Sequence, residues 1–325
     1  MYLCNLLFFS IRYARSFSKV EELTESLEQR VWERTAEIFH QNRALELQKN
    51  EIIKQNKIIA KKNEDVTASI NYASRIQRAI LGSQEAIVSN FKESFIFLAP
   101  RDIVSGDFYW YTEVKRSGSN KAGIERQTIF FKVIVAADCT GHGIPGAFMT
   151  VMGSALLDEI INENKVTNPS RILSILDRKL LMKLQRHNVH DGMDLAILFF
   201  DDENRRISFA GANNPLYYVR DGELHQIPGS KFPVGSSQYN VRKKFDTYNL
   251  DYQEGDVFYI FSDGFQDQFG GVRGRKYYKK RFREFLLSIS HLPMKEQRSR
   301  IQQEFETWKG NLSQTDDILV IGVRT

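Results

Sequence analysis

From Ser18 to Leu81 the chain contains no proline, and its first glycine is Gly82. Proline and glycine are the strongest interrupters of a helix. A stretch of this length without either, dense in charge and in Gln and Asn, has one regular solution: a single continuous helix. Its register can be read. Val31, Ile38, Leu45, Ile52, Ile59, Val66, Ala73 and Ile80 recur at every seventh position, the period of an a-position in a left-handed coiled coil. The matching d-position is Leu27, Arg34, Gln41, Gln48, Gln55, Lys62, Ser69 and Ile76. One seam is apolar and the other mostly polar. Polar core layers lower stability and fix register, so the coil is expected to be weak and easily shifted. A lone solvated helix held by i,i+4 pairs is the alternative; the persistence of the heptad favours a parallel homodimer. The heptad runs unbroken through Ser69–Leu81, so a twist in the coil is expected to reach whatever follows.

Residues 1–17 form a separate segment. Tyr2, Leu3, Leu6, Leu7, Phe8, Phe9 and Ile11 are apolar, and Arg12, Arg15 and Lys19 follow. The run is short of the roughly 20 residues that span a bilayer, and no basic residue precedes it as in a signal peptide. Apolar then basic is the order found at a cytoplasmic exit from a membrane helix. The expectation is the end of a membrane span, with a short amphipathic anchor or an unstructured end as alternatives.

After Gly82 the pattern changes to one domain, 82–325. Apolar runs at 94–98, 108–114, 128–137, 194–200, 207–211, 216–219, 257–262 and 318–323 predict strands. Helices are expected at 145–164, at 168–186 with Asn168 or Ser170 as cap, at 278–290 and at 294–308. Residues 116–126, with Gly118 and Gly123, read as an exposed hairpin loop. Many strands with helices inserted in blocks imply an α+β class in layers. Two cysteines, Cys4 and Cys139, make no disulfide framework and fit a reducing cytosol. The charge, 45 basic against 40 acidic residues, is too balanced to argue for nucleic acid.

Within the domain, Val133 to Ala137 ends at Asp138, followed by Gly141, Gly143 and Pro145. This places an acid at the end of a buried strand, on a glycine turn, beside a helix start, which suits a metal or phosphate site. A turn merely stabilised by its Asp gives the same pattern. Three more acidic points break the tie. Asp107 sits in Ser105-Gly106-Asp107-Phe108-Tyr109, Asp263 ends the run from Val257 to Ser262, and Asp316-Asp317 precede the run from Ile318. Carboxylates at strand ends can converge, and oxygen-only ligands select hard cations such as Mg²⁺ or Mn²⁺. No Cys/His cluster with zinc spacing competes. Asp191 and Asp194, before a strand, offer an outer acid to such a site, and a loop or capping role is the favoured reading.

Gly106-Asp107-Phe108-Tyr109, the Asp138–Gly143 turn, Ser262-Asp263-Gly264 and Asp316-Asp317-Ile318 resemble, in order and spacing, the four signatures of metal-dependent protein phosphatases of type 2C (PPM), in the SpoIIE-type branch. The resemblance runs from about Ile76 to the C-terminus. It implies an α-β-β-α sandwich of two antiparallel sheets flanked by helices, here preceded by the coiled-coil helix. It also implies hydrolysis of phosphoserine or phosphothreonine by a water activated between two Mn²⁺ or Mg²⁺ ions. Carried over, Asp138 bridges the ions, Asp107 acts with it in catalysis and metal binding, and Asp263, Asp316 and the Cys139 backbone carbonyl complete the site. Trp110 stands where the branch often has an acid. The arginine with which eukaryotic relatives grip phosphate has no clear counterpart; Arg101 is the nearest candidate for substrate binding. His142 and Asn213 are weaker ones, each with a turn-forming role as its alternative. The loop 231–235 resembles one that packs in the family. The segment 69–81 resembles the branch's linker helix, and 9–35 resembles the stretch after the last membrane helix of seven-helix sensory receptors. The implied substrate is a phosphorylated STAS-type antagonist of an anti-sigma factor, and the implied place is the cytoplasm, at the inner face of the membrane if residues 1–17 end a span. A catalytically silent signalling module of the same fold is the rival reading, and a purely structural coiled-coil adaptor a more distant one.

Overall fold

The computed structural model describes residues 2–119, 126–184, 191–236 and 243–325. It divides into two units, Met1–Ala68 and Ser69–Thr325. The first consists of helix α1 (Tyr2–Leu81), whose last turns belong to the second unit. In the first unit Val31, Ile38, Leu45, Ile52, Ile59 and Val66 are each more than half exposed, so the apolar seam lies open along the helix.

The second unit continues with α2 (Gln84–Val88), β1 (Glu93–Ala99), β2 (Asp107–Ser119), β3 (Arg126–Cys139), α3 (Gly143–Asp158), a π-helical turn at Glu159–Glu163 and α4 (Pro169–Leu184). Then come β4 (Met193–Asp201), β5 (Arg206–Ala212), β6 (Leu216–Arg220), β7 (Glu223–Ile227), β8 (Tyr248–Asp251), β9 (Val257–Phe261) and α5 (Gly264–Asp267). The small ribbon β10 (Phe269–Gly270) and β11 (Arg275–Lys276), α6 (Lys279–Ile289), α7 (Met294–Lys309) and β12 (Ile318–Arg324) complete it. Two five-stranded antiparallel sheets, in the orders β1-β12-β9-β6-β7 and β2-β3-β4-β5-β8, form the frame.

Three apolar layers explain the sequence pattern. Along β3, Ile134 and Ala136 point into a core shared with Ile260, Leu319 and Ile321 of the other sheet. Val133, Val135 and Ala137 point the other way, against Leu157, Leu173 and Leu176 of α3 and α4. A strand covered on both faces has no polar side to show, so it reads as a continuous apolar run. On the far side Phe261, Tyr259 and Val320 pack under Phe282, Leu286 and Phe305 of α6 and α7. The result is the α-β-β-α sandwich. Gly143–Glu163 is the one helical stretch among the described residues long and apolar enough to cross a membrane, and it packs here as a core helix over the sheet.

The hairpin strands run further than expected, to Ser119 and from Arg126, so residues 116–119 are paired strand rather than loop. The turn around Gly123 and the helix end at Arg186 lie outside the described residues. Asn168, not Ser170, caps α4: its Oδ1 accepts the Arg171 N–H at 2.9 Å. In the loop 231–235 Val234 is fully buried and exchanges backbone hydrogen bonds with Met193.

Candidate active site

The site is built by register. Asp107 opens β2 and lies directly opposite Asp138 near the end of β3, and Asp138 lies opposite Asp194 on β4. Residues opposite each other in an antiparallel ladder share a face. That face is the one turned toward the second sheet, because Tyr109, Ala136 and Ala196, two residues further along each strand, all belong to the inter-sheet core. The second sheet supplies its acids from the same end: Asp263 follows β9, and Asp316 and Asp317 precede β12, which pairs with β9.

Close packing holds the strand ends in place. Gly141 has φ of 86°, a left-handed conformation that glycine adopts without penalty. A methyl group on Gly106 would lie 2.5 Å from the Gly141 carbonyl, so the two loops touch backbone to backbone. Asp317 is buried and uses both oxygens on this junction, accepting the Arg101 and Gly106 backbone N–H groups at 2.7 Å each. Ser262 accepts the Leu319 N–H at 2.9 Å, and its hydroxyl is near enough to Asp107 to favour the ionised carboxylate.

The electrostatics are one-sided. Burial pushes the Asp107 and Asp138 carboxyls far above the usual range, and their acidic neighbours push in the same direction. For Asp107 the Ser262 hydroxyl partly offsets this; for Asp138 the neighbours are Asp107, Asp263, Asp194 and Asp316. Asp263 is raised by burial and then by Asp267 and Asp316, with Lys279 and Lys276 pulling it back. Burial raises Asp194 to about 6. Asp107 Oδ2 is buried without a hydrogen-bond partner. A buried carboxylate oxygen left unpaired is costly, and a cation removes the cost.

Other residues singled out in the sequence take clear places. His142 Nδ1 lies 2.9 Å from Asp102 Oδ2, tying the glycine turn to the loop before Asp107. The Arg101 guanidinium donates to the Thr315 carbonyl at 3.1 Å. Asn213, with φ of 59°, donates to Asp194 Oδ1 at 2.8 Å, so it orients an acid of the site. Trp110 is buried in the layer under α3 and α4. The Cys139 thiol is buried, and its pKa is pushed far up by that burial and by Asp138.

One residue escaped the sequence reading, and another was given a lesser role there. For Asp194 the outer-acid alternative prevails over the loop or capping role, because it stands on β4 and the ladder to Asp138 brings it to the site. Gln77, near the end of α1, is buried: its Nε2 donates to the Ser105 carbonyl at 2.6 Å and to Thr150 Oγ at 2.8 Å, and its Oε1 accepts the Ser105 N–H at 3.2 Å. Ser105 Oγ in turn accepts the Asp107 N–H at 3.0 Å. One side chain thus joins the linker helix to the first acid and to α3.

The model of the family "Stage II sporulation protein E (SpoIIE)" matches residues 132–325. The SiaA-PP2C domain of Pseudomonas aeruginosa is 30% identical over 81% of this chain and 98% of that one, with a TM-score of 0.68. The chain belongs to the SpoIIE family of PP2C-type phosphatases. It is a phosphoprotein phosphatase, of the serine/threonine kind used in bacterial signalling. At 16% identity the fold extends to the PP2C domain with a regulatory fragment of SpoIIE from Bacillus subtilis (72% of this chain, 63% of that one, TM-score 0.53). It extends likewise to the RsbU and RsbW domains of Rv1364c from Mycobacterium tuberculosis (71% and 60%, TM-score 0.52). A comparison with curated protein sequences returns no match.

Proposed function

We propose that this SpoIIE-family phosphatase hydrolyses phosphoserine or phosphothreonine on a partner protein using two Mn²⁺ or Mg²⁺ ions. Asp138 would be the central ligand, and Asp107, Asp263, Asp316 and the Cys139 carbonyl would complete the set that holds them. The observation that carries this is the in-register pair Asp107–Asp138, buried and raised in pKa by its acidic neighbours, with Asp107 Oδ2 left unpaired. The donors are all oxygens, as hard cations require. Among the described residues no three His, Cys, Asp or Glu side chains close into a ready cage. Mg²⁺ keeps several waters and takes only one or two carboxylates, so acids spread over several strand ends suit it.

Such ions make hydroxide available near neutral pH and offset charge on the attacked phosphoryl group. The chain's own part is positioning. Ser105 holds the backbone of Asp107, Asn213 orients Asp194, and Asp317 locks the loop that carries Asp107 without joining the ligands. Burial and the acid beside it keep the Cys139 thiol protonated, which does not suit it as a nucleophile.

A STAS-type phosphorylated antagonist of an anti-sigma factor is the substrate we favour, by analogy with the branch. We also place two chains in a parallel coil, supported by the exposed a-seam, and the N-terminus at the inner membrane face, supported by the exposed Leu7, Phe8, Phe9 and Ile11 ahead of Arg12 and Arg15. The test is hydrolysis of p-nitrophenyl phosphate by EDTA-treated protein. Mn²⁺ should restore turnover in the wild type and fail to do so in Asp138→Asn. A folded wild type inert with both Mn²⁺ and Mg²⁺ would favour the silent signalling module.

A further inference from the structure

Between α6 and the strands β6 and β7 lies a cleft of about 760 Å³, and Asp194 and Asp263 form part of its wall. The acidic centre therefore opens into a groove far larger than a phosphate. Two features of that groove are unexplained by metal chemistry.

The first is a pair of orphaned polar atoms. Asn214 and Gln266 line the cleft and are 8% and 3% exposed. Asn214 Nδ2 and Gln266 Oε1 have no hydrogen-bond partner. Unmet groups of this kind are costly, and native structures rarely leave them so. One atom donates and the other accepts. A peptide backbone offers both complements at short intervals, and a phosphate offers only acceptors.

The second is charge. Lys279 and Arg283, four residues apart on one face of α6, line the cleft with Lys280, and Glu284 is the one acid that this helix adds, away from Asp194 and Asp263 at the metal end. The Arg283 guanidinium lies 5.8 Å over the Tyr217 ring, which places its charge against the groove wall. Lys279 is near enough to Asp194 and Asp263 to pull both pKa values down, so the basic face begins beside the acids and continues away from them.

We propose that this cleft docks an extended segment of the phosphorylated protein adjoining its phosphoserine or phosphothreonine, with the backbone bonded by Asn214 and Gln266 and acidic flanking side chains paired by Lys279 and Arg283. The proposal rests on the phosphatase reading and adds where the substrate chain lies and what sign its flanks carry. An extended peptide rises roughly 3.3 Å per residue, so the acidic flank sits within a few residues of the reacting side chain.

The full-length protein is assayed with Mn²⁺ on three substrates: p-nitrophenyl phosphate, a phosphoserine peptide flanked by Glu, and the same peptide flanked by Lys. The wild type should prefer the Glu-flanked peptide by about tenfold or more in kcat/KM. Arg283→Glu, on an exposed side chain, should narrow or invert that preference, mainly through KM. Gln266→Met should lower kcat/KM for both peptides by about tenfold relative to p-nitrophenyl phosphate. Equal use of the two peptides by the wild type, or a preference left unchanged by Arg283→Glu, overturns the proposal while hydrolysis of the small ester still stands. Failure on all three substrates instead brings down the phosphatase reading, and the docking proposal with it.

Discussion

Replacing Asp194 by Asn isolates the electrostatic cost of gathering acids at one end of the sandwich. Burial, with Asp263 behind it, moves the Asp194 carboxyl from 3.8 to about 6, against the hydrogen bond from Asn213. In the unfolded chain the group titrates near its ordinary value, about 3.9. Between those two values the native protein holds a proton that the unfolded chain has lost. In metal-free protein the favourable contribution of this group is therefore complete below about pH 4 and is lost as pH rises through about 6. Two pKa units amount to about 3 kcal/mol at pH 8, roughly half of it already gone at pH 5. Asn keeps the shape and the acceptor for Asn213 but has no charge to bury. In urea melts with EDTA, Asp194→Asn should exceed the wild type in stability by about 1.5 kcal/mol at pH 5 and about 3 kcal/mol at pH 8. Mn²⁺ should then stabilise the wild type more at pH 8 than at pH 5, since ionised carboxylates bind it. A difference between variant and wild type that is the same at both pH values would refute the reasoning.

Gln77→Leu removes three hydrogen bonds and leaves Ser105 and Thr150 groups unmatched in a buried place. It should cost about 2–4 kcal/mol in urea melts and weaken Mn²⁺ binding measured by titration calorimetry; unchanged Mn²⁺ affinity in the folded variant would mean that α1 does not hold the Asp107 loop. Replacing Gln41, Gln48 and Gln55 together by Leu should convert the polar d-layers to apolar ones and tighten a dimer, read as a lower dissociation constant by sedimentation. A chain monomeric at all concentrations, with or without these changes, contradicts the coil. One residue inserted between Lys62 and Ser69 turns the helix downstream by roughly 100°, and seven nearly restore its phase. Phosphatase activity should fall with the first and return with the second; equal activity in both would make the coil a tether.

The parts of the fold written in apolar runs were legible. Strands such as β3, β4 and β12 are covered on both faces, so their boundaries in sequence and structure differ by only a residue or two at most ends. β7 and β8 were not legible: each is the edge strand of its sheet, and Glu223-Leu-His-Gln-Ile and Tyr248-Asn-Leu-Asp carry no apolar run. The acids at Asp107, Asp138 and Asp263 could be picked out because each sits where a glycine-flanked turn meets an apolar strand. Asp194 carries a weaker mark, which left a loop role and an outer-acid role open, and the register opposite Asp138 decides between them. Within Asp316-Asp317 the resemblance named Asp316 for the metals, and nothing in the sequence marked a role for Asp317. The structure gives Asp317 to the backbone of Arg101 and Gly106 and turns the Asp316 carboxylate to accept the Asp317 N–H. Gln77 was hidden among many glutamines of one helix, because partners 28 and 73 residues away decide its role.

The central claim is that these acids exist to hold divalent cations. Calorimetric titration of Mn²⁺ into EDTA-stripped, buffer-exchanged protein, with phosphate release from a phosphoserine peptide followed in the same samples, tests it most directly. The wild type should bind two ions per chain, and turnover should rise with occupancy; Asp138→Asn should stay folded, lose the binding heat and lose turnover together. Saturating turnover in the wild type without bound Mn²⁺ or Mg²⁺, or wild-type binding and turnover in Asp138→Asn, would contradict the account.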